Sequence, residues 1–224
     1  MNRSCIIGDI HGCFNSLVAL LAQVENRADT IVFLGDYIDR GPDSKKVVEL
    51  ILQLKKDHPH VITLLGNHEY MLLNYLAGLD NSVFLQVGGR QTLTSYDLPP
   101  KMEPADVCTH MPQEHLSFFH DLPLLWEDQY GIYVHAGLQP GVHISRQTND
   151  WCLWVRDEFI RSSYNFGKKV VFGHTVFKKP LVQKNKIGID TGAVYGQTLT
   201  GLLLPEMEFI SVPGEQERPY PMPL

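Results

Sequence analysis

Three short apolar runs near the start of the chain each end in a glycine that is followed by polar side chains. They lie in residues 4–12, 31–41 and 61–69 and read SCIIGDIHG, IVFLGDYIDRG and VITLLGNHE. Each run has four to five residues rich in Ile, Val and Leu, as expected for a strand that is buried on both faces. The pattern predicts three strands whose polar loops lie at one edge of a sheet.

The two intervals between these runs carry apolar residues at helical spacing. Residues 14–24 and 43–55 contain the apolar positions Leu17, Leu20, Leu21, Val24, Val47, Val48, Leu50, Ile51 and Leu54. Alternating strands and helices predict an α/β fold with a parallel sheet. Open sheets of this kind bind ligands at the carboxyl ends of their strands, so the three polar loops should converge there.

Length and composition limit the possible functions. A chain of 224 residues with 44% hydrophobic content suits one domain with a sizeable core. Its net charge of −6 gives no general basic field, so a nucleic acid polymer is not expected as a partner. There is no room for a signal peptide before the first predicted strand, and no apolar run reaches membrane-spanning length. We therefore expect no membrane association and a cytoplasmic location.

The four cysteines show no close pairing of the C-x-x-C kind, and we expect them to be reduced. Most of them should be structural. Cys13 adjoins the first glycine loop and is the candidate for a reactive thiol.

The first two loops supply three carboxylates, one imidazole and one guanidinium. Asp9 and His11 are two positions apart and point the same way from an extended segment, so together they can chelate a divalent metal. The alternative is a helix-capping Asp9 and a solvated His11. Asp36, Asp39 and Arg40 follow the second run, where the arginine fork suits a phosphate oxyanion. The alternative there is a surface ion pair between Asp39 and Arg40.

The third loop adds an amide and a second imidazole. Asn67 offers a carbonyl oxygen to a metal, and His68 is an imidazole that can donate a proton. Glu69, the next residue, is interpreted as a carboxylate that favours the dipole of the helix it begins.

Two later strand-like runs also end beside a histidine and a glycine. Residues 131–134 precede His135, and residues 170–172 precede Gly173 and His174. Between them lies a segment, predicted to be helical or a turn, that carries Arg156. Histidines in this setting extend the metal-binding pattern of the first three loops.

Six candidate metal ligands follow the ends of five predicted strands: Asp9, His11, Asp36, Asn67, His135 and His174. This number suits two divalent cations with Asp36, on the middle strand, as the bridge. A pair of metals activates water and clamps the oxygens of an in-line phosphoryl displacement, which predicts phosphate ester hydrolysis. Arg40 and Arg156 would neutralise the phosphoryl oxygens. His68 would protonate the leaving group, with Asp39 orienting its ring.

The remaining segments set the expected domain organisation, a single domain over residues 1–212. Regular α/β alternation stops at residues 78–113, which we interpret as an inserted lid facing the substrate. Strand-like runs at residues 181–184, 186–190, 200–204 and 206–212 predict an antiparallel meander that forms a second sheet. Residues 213–224 form a proline-rich tail that is expected to be unpacked.

The motifs GDIHG, GDYIDRG, GNHE, HAG and GHT, in this order over residues 6–175, resemble the signature of PPP-type phosphoprotein phosphatases among the calcineurin-like metallophosphoesterases. The compact length is similar to that of small bacterial and phage members. The resemblance implies a central β-sandwich of two mixed sheets flanked by helices. It assigns Asp9, His11 and Asp36 to one metal, and Asp36, Asn67, His135 and His174 to the other. It also implies Arg40 and, by a looser match, Arg156 as phosphate ligands, and Asp39 with His68 as the acid pair. Manganese is the expected metal, with iron and zinc as alternatives.

The expected activity is dephosphorylation of phosphoserine and phosphothreonine in proteins, with phosphotyrosine as a further possibility. Asp39 and Glu69, in the DRG and GNHE motifs, favour this branch of the family. The expected partner is a phosphoprotein or a phosphorylated small molecule. One alternative is a symmetrical diadenosine tetraphosphate hydrolase, which shares the metal ligands. Another is an inactive metal-binding regulatory domain, although such a domain would not need Asp39, Arg40 and His68.

Overall fold

The computed structural model describes residues 3–24, 26–58, 60–79 and 82–222. These residues contain two five-stranded sheets. The ten strands are β1 (Ser4–Ile7), β2 (Thr30–Phe33), β3 (Val61–Thr63), β4 (Leu125–Glu127), β5 (Gly131–Val134), β6 (Lys169–Phe172), β7 (Leu181–Val182), β8 (Lys186–Gly188), β9 (Thr198–Leu204) and β10 (Glu208–Pro213).

The first sheet contains the three predicted parallel strands. Its order is β10-β9-β1-β2-β3, with β1, β2 and β3 parallel and β9 antiparallel to β1. Every residue of β1 is buried, in agreement with its continuous apolar sequence. The polar loops after β1, β2 and β3 consequently leave the sheet at the same edge, as expected.

The second sheet has the order β4-β5-β6-β8-β7, and β5, β6 and β8 are parallel. The predicted single meander of late strands is wrong. Of the four late strands, only β7 and β8 belong to this sheet, whereas β9 and β10 complete the first one. The reason lies in β9, whose sequence TLTGLLL is buried along almost its whole length because it pairs with both β1 and β10.

The eight helices of the described residues are α1 (Phe14–Val24), α2 (Ser44–Asp57), α3 (Asn67–Leu76), α4 (Arg90–Ser95), α5 (Pro104–His110), α6 (Gln113–His120), α7 (Asn149–Trp154) and α8 (Asp157–Arg161). Alternate strand residues face different layers. Ile6 and Val32 of the first sheet pack with Val171 and Ile187 of the second. Their neighbours, such as Ile7, belong to the larger core that contains the helices. The predicted α/β architecture, a β-sandwich of mixed sheets flanked by helices, is confirmed.

The segment predicted as an insertion is mainly helical where it is described. A π-helical turn, Leu85–Gly89, leads into α4, and α5 follows. The segment packs on the second polar loop, because Arg40 N donates to Gly88 O at 3.2 Å. Its role as a lid stays a prediction, as do the domain limits.

The proline-rich tail differs from the expectation that it is unpacked. Gly214 N donates to Gln197 O at 2.8 Å, and Tyr220 N donates to Val194 O at 2.7 Å. Backbone hydrogen bonds therefore hold the tail against the turn that precedes β9.

Across residues 3–24, 26–58, 60–79 and 82–222, the structure contains no helix that is both long and apolar enough to cross a membrane.

Candidate active site

The polar loops adopt unusual backbone conformations. His11, Asp36, Asp39, Arg40 and His174 all have φ between +47° and +72°. Residues with a side chain rarely adopt this left-handed region, and such strain concentrates at functional sites. The loops thus direct the polar side chains towards the site, and the backbone is strained at these residues as a result.

Close approach between two of these loops requires Gly35. Its φ is +100°, and a Cβ atom there would lie 2.6 Å from the Cα of Gly66. Glycine at both positions therefore lets the loops after β2 and β3 touch, which brings Asp36 beside Asn67 and His68.

A first potential metal-binding group consists of His11, Asp36 and His68, each with a ligand atom within 4.8 Å of the others. His11 Nδ1 lies 2.8 Å from Ile38 O and must donate to that carbonyl. Its other nitrogen, Nε2, lies 3.3 Å from Asp36 Oδ2 and accepts from Arg40 Nη1 at 2.8 Å. Burial and the neighbouring Arg40 lower the pKa of His11 well below its usual value. His11 is therefore a neutral imidazole, the form that binds metals.

A second group consists of Asp36, His135 and His174, again with ligand atoms within 4.8 Å. His135 Nδ1 lies 3.0 Å from Leu34 O, so its Nε2 faces Asp36 Oδ1 at 3.5 Å and Asn67 Oδ1 at 2.9 Å. The pKa values of His135 and His174 are lowered, first of all by burial. Asp36 belongs to both groups, which fits the predicted bridging position.

The donor set fits divalent cations. It combines neutral imidazoles, carboxylates and an amide oxygen, ligands that suit first-row divalent metals. The Nε2 atom of His174 is buried and has no hydrogen-bond partner in the described part of the chain. A buried polar atom without a partner is costly, and a metal ion bound at Nε2 would satisfy it.

Asp9 lies next to these groups but belongs to neither of them. Its carboxylate accepts hydrogen bonds from His174 N, at 2.9 and 3.2 Å. Burial and the nearby Asp190 and Asp36 raise its pKa well above the usual value. A bound cation would favour the ionised form.

The predicted acid pair is assembled. His68 Nδ1 lies 2.6 Å from Asp39 Oδ2, and both side chains are buried. Thr92, from α4, donates its hydroxyl to Asp39 Oδ1 at 2.5 Å. Thr92 was not predictable from the sequence, because a single threonine in an irregular segment carries no signal.

The two arginines border a groove of about 430 Å³ that also exposes Asp36, His68 and His174. Arg40 is held by Val87 O, 3.3 Å from its Nε, and its guanidinium carbon lies 5.8 Å from the ring centre of Tyr195. Arg156 precedes α8 and is exposed to the groove. Both predicted phosphate ligands therefore reach the same cavity as the metal-binding groups.

Glu69 does more than favour a helix dipole. Its buried carboxylate accepts hydrogen bonds from the backbone amides of Asp36, Tyr37, Ile38 and Gly66, at 2.9, 2.8, 3.3 and 3.1 Å. It joins the loop after β2 to the start of α3. The GNHE motif, which ends with Glu69, was the available sequence signal, but the motif alone did not reveal which atoms Glu69 binds.

Comparison with known proteins defines the class. Residues 3–185 match the family model of the calcineurin-like phosphoesterases, and the chain belongs to that family. It is thus a metallophosphoesterase, a hydrolase of a family that uses a dinuclear site of divalent metals.

Individual relatives narrow the comparison. The chain is 32% identical to "Bis(5'-nucleosyl)-tetraphosphatase PrpE [asymmetrical]" of Oceanobacillus iheyensis, over 94% of this chain and 92% of the relative. The crystal structure of a candidate diadenosine tetraphosphatase superposes with a TM-score of 0.74 at 27% identity, covering 96% of this chain and 94% of the other. A cold-active protein-tyrosine phosphatase of a Shewanella species has a TM-score of 0.67 at 17% identity, covering 94% and 77%, and shares the fold.

The prediction of a phosphoprotein phosphatase with a phosphoprotein partner is wrong. The relative that is 32% identical along 94% of the chain carries the name of a dinucleoside tetraphosphatase, whereas the protein-tyrosine phosphatase, at 17% identity, shares only the fold. The error came from Asp39 and Glu69, which were interpreted as residues that indicate the substrate. In the structure Asp39 orients His68, and Glu69 binds backbone amides, tasks that are independent of what is hydrolysed.

Proposed function

We propose that this protein hydrolyses bis(5'-nucleosyl) tetraphosphates such as diadenosine tetraphosphate. The observation that carries the proposal is the match along 94% of the chain to a relative named as an asymmetrical bis(5'-nucleosyl)-tetraphosphatase. The convergence of candidate ligands, arginines and an acid pair on one groove supports hydrolysis at that place. A cytoplasmic location stays part of the proposal.

In this proposal the six ligands keep their predicted roles. Asp9, His11 and Asp36 hold one cation, and Asp36, Asn67, His135 and His174 hold the other. The two three-residue groups that share Asp36 support the bridge, and the position of Asn67 Oδ1, 2.9 Å from His135 Nε2, supports its place in the second set. The mixed nitrogen and oxygen ligands suit manganese, and also iron or zinc.

Bound there, two divalent cations would neutralise phosphate charge and activate water. Arg40 and Arg156 would bind the phosphoryl oxygens from the groove, since guanidinium forks match tetrahedral oxyanions. His68 would hold a proton close to the departing oxygen, with its ring fixed by Asp39.

The leaving group determines how much hydrolysis depends on the proton held by His68. An alkoxide needs protonation to depart, whereas a nucleotide leaves as a phosphate anion that is stable without it. Hydrolysis of a dinucleotide should therefore depend less on His68 than hydrolysis of an alkyl phosphate.

The test compares Mn²⁺-loaded protein on diadenosine tetraphosphate and on phosphoserine, phosphothreonine and phosphotyrosine peptides, with products separated by anion exchange. We expect the highest kcat/KM on the dinucleotide, with AMP and ATP as products of asymmetrical cleavage. Two molecules of ADP would instead indicate the symmetrical alternative. Faster turnover of a peptide, or no hydrolysis by protein that retains its metals, would contradict the proposal.

A further inference from the structure

A second, larger groove adjoins the catalytic one. Its volume is about 860 Å³, twice the 430 Å³ of the catalytic groove. Arg40 and Met222 line both grooves, so the two adjoin at these side chains. A ligand held by Arg40 can therefore extend from the metal-binding groups into the second groove.

The second groove carries excess positive charge although the chain as a whole has a net charge of −6. Arg40, Arg90 and Arg218 line it. Neither Arg90 nor Arg218 forms an ion pair with a described residue, and both are exposed. The carboxylate of Asp43 lies in the same groove but is paired with Lys46 at 2.8 Å. The groove thus offers free guanidinium groups to an anion.

The C-terminal tail forms an ordered wall of this groove. Glu215 N donates to Ala193 O at 2.8 Å, and Arg218 N donates to the Glu215 side chain at 3.0 Å. Tyr220 is anchored through its backbone, and its ring centre lies 6.5 Å from that of Tyr195. Arg218 and Tyr220 are therefore held beside the path that leads to the catalytic groove.

We propose that this groove binds the distal nucleotide of a dinucleoside tetraphosphate, the part of the substrate that lies beyond the cleaved bond. This inference rests on the proposed function and deepens it. Arg90 and Arg218 bind the outer phosphates, because guanidinium groups bind phosphate oxygens in pairs. The apolar and aromatic surface of Tyr220 and Met222 packs against the base, as flat rings do in nucleotide sites.

The sizes of the two grooves agree with this division. A phosphate monoester needs only the catalytic groove, whereas two nucleosides joined by four phosphates exceed it. Ligand sites of about 300 to 1,000 Å³ are usual for small molecules, and each groove falls in this range. The second groove was not predictable from local sequence because its walls come from the insertion and the tail, segments far apart in the chain.

Binding to the Mn²⁺-loaded protein tests the proposal directly. The probe is a diadenosine tetraphosphate analogue with methylene groups in place of the bridging oxygens, measured by titration calorimetry. Arg90→Gln and Arg218→Gln should each raise its Kd about tenfold, the effect of one lost charged hydrogen bond. The matched control is Arg27→Gln, which removes the same charge from a residue that pairs with Glu208 and lines neither groove. This control should bind with the wild-type Kd.

A second readout separates this proposal from the proposed function. The ratio of kcat/KM on diadenosine tetraphosphate to that on p-nitrophenyl phosphate should fall about tenfold in both variants. An unchanged Kd and an unchanged ratio would overturn the distal site even if the wild type cleaves the dinucleotide. A weakened Kd in a protein that fails to cleave it would support the distal site and overturn the function.

Discussion

The Nδ1 atom of His68 lies 2.6 Å from Oδ2 of Asp39, in a pair whose side chains are 1% and 0% exposed. Thr92 donates its hydroxyl to Oδ1, the other oxygen of that carboxylate, and Thr92 Oγ1 accepts from the backbone amide of Asp39 at 2.8 Å. Because a carboxylate accepts the Nδ1 proton, the tautomer and the ring orientation of His68 are fixed, and its other nitrogen is directed to the site.

Substitution His68→Asn should slow hydrolysis according to the leaving group. On phenyl phosphate we expect kcat to fall roughly 10²- to 10⁴-fold, the usual contribution of a general acid. On p-nitrophenyl phosphate and diadenosine tetraphosphate the loss should be smaller, because their leaving groups need less protonation. His115→Asn is the matched control, since His115 is buried but bonds to Tyr96 OH, away from the groove. Equal losses on all three substrates would contradict the acid role.

The metal content of variants should test whether Asp36 bridges two metal ions. Asp36→Ala removes the residue common to both three-residue groups, so atomic emission should find the protein without either ion. Asp9→Ala should cost at most one ion, since Asp9 lies outside both groups. Asp57→Ala, an exposed position, serves as the control. Two ions retained by Asp36→Ala would rule out the bridging assignment.

Much of the site was predictable because its residues follow strand ends. Each of Asp36, Asn67 and His135 stands next to an apolar run, and parallel strands bring such ends together. The predicted ligand positions did converge in the structure, apart from the offset of Asp9. Local sequence was enough to predict these positions because parallel strands place their carboxyl ends side by side.

Other features depend on contacts between distant segments. The division of the late strands between two sheets depends on β9 pairing with β1, across most of the chain. Thr92 and Arg218 reach the site from segments without a regular pattern. The prediction of the substrate was wrong for a related reason. The motifs contain residues that bind metals or hold the loops in place, and such residues are compatible with more than one phosphate ester.

Glu69→Gln should loosen the loop that carries Asp36. The variant keeps the shape of the side chain but loses the charge that accepts four backbone N–H groups. We expect the free energy of unfolding in urea to fall by roughly 1 to 3 kcal/mol, the cost of buried donors left poorly satisfied. Glu114→Gln, at an exposed ion pair with Lys56, should change it by less than about 1 kcal/mol. A Glu69→Gln protein as stable as the wild type would show that these hydrogen bonds are dispensable.

Gly173→Ala should displace Asp9. A Cβ atom at position 173 would lie 2.0 Å from Asp9 Oδ1, far inside van der Waals contact. We therefore expect reduced metal content and reduced hydrolysis of p-nitrophenyl phosphate. Gly201→Ala is the control, because its Cβ would meet Cys5 Sγ at an ordinary 3.5 Å. Full metal content in Gly173→Ala would show that the Asp9 carboxylate is free to move aside.

Thiol labelling should distinguish the cysteines by burial. Burial raises the pKa values of Cys5, Cys13 and Cys152 each to about 12, so almost no thiolate forms at neutral pH. Cys108 is exposed. A disulfide reagent at pH 7.5 should therefore modify one thiol in the native protein and all four after denaturation, and Cys108→Ser should abolish the native reaction. Rapid modification of Cys13, found by mass spectrometry of peptides, would instead support the prediction that Cys13 is the reactive thiol beside the first loop.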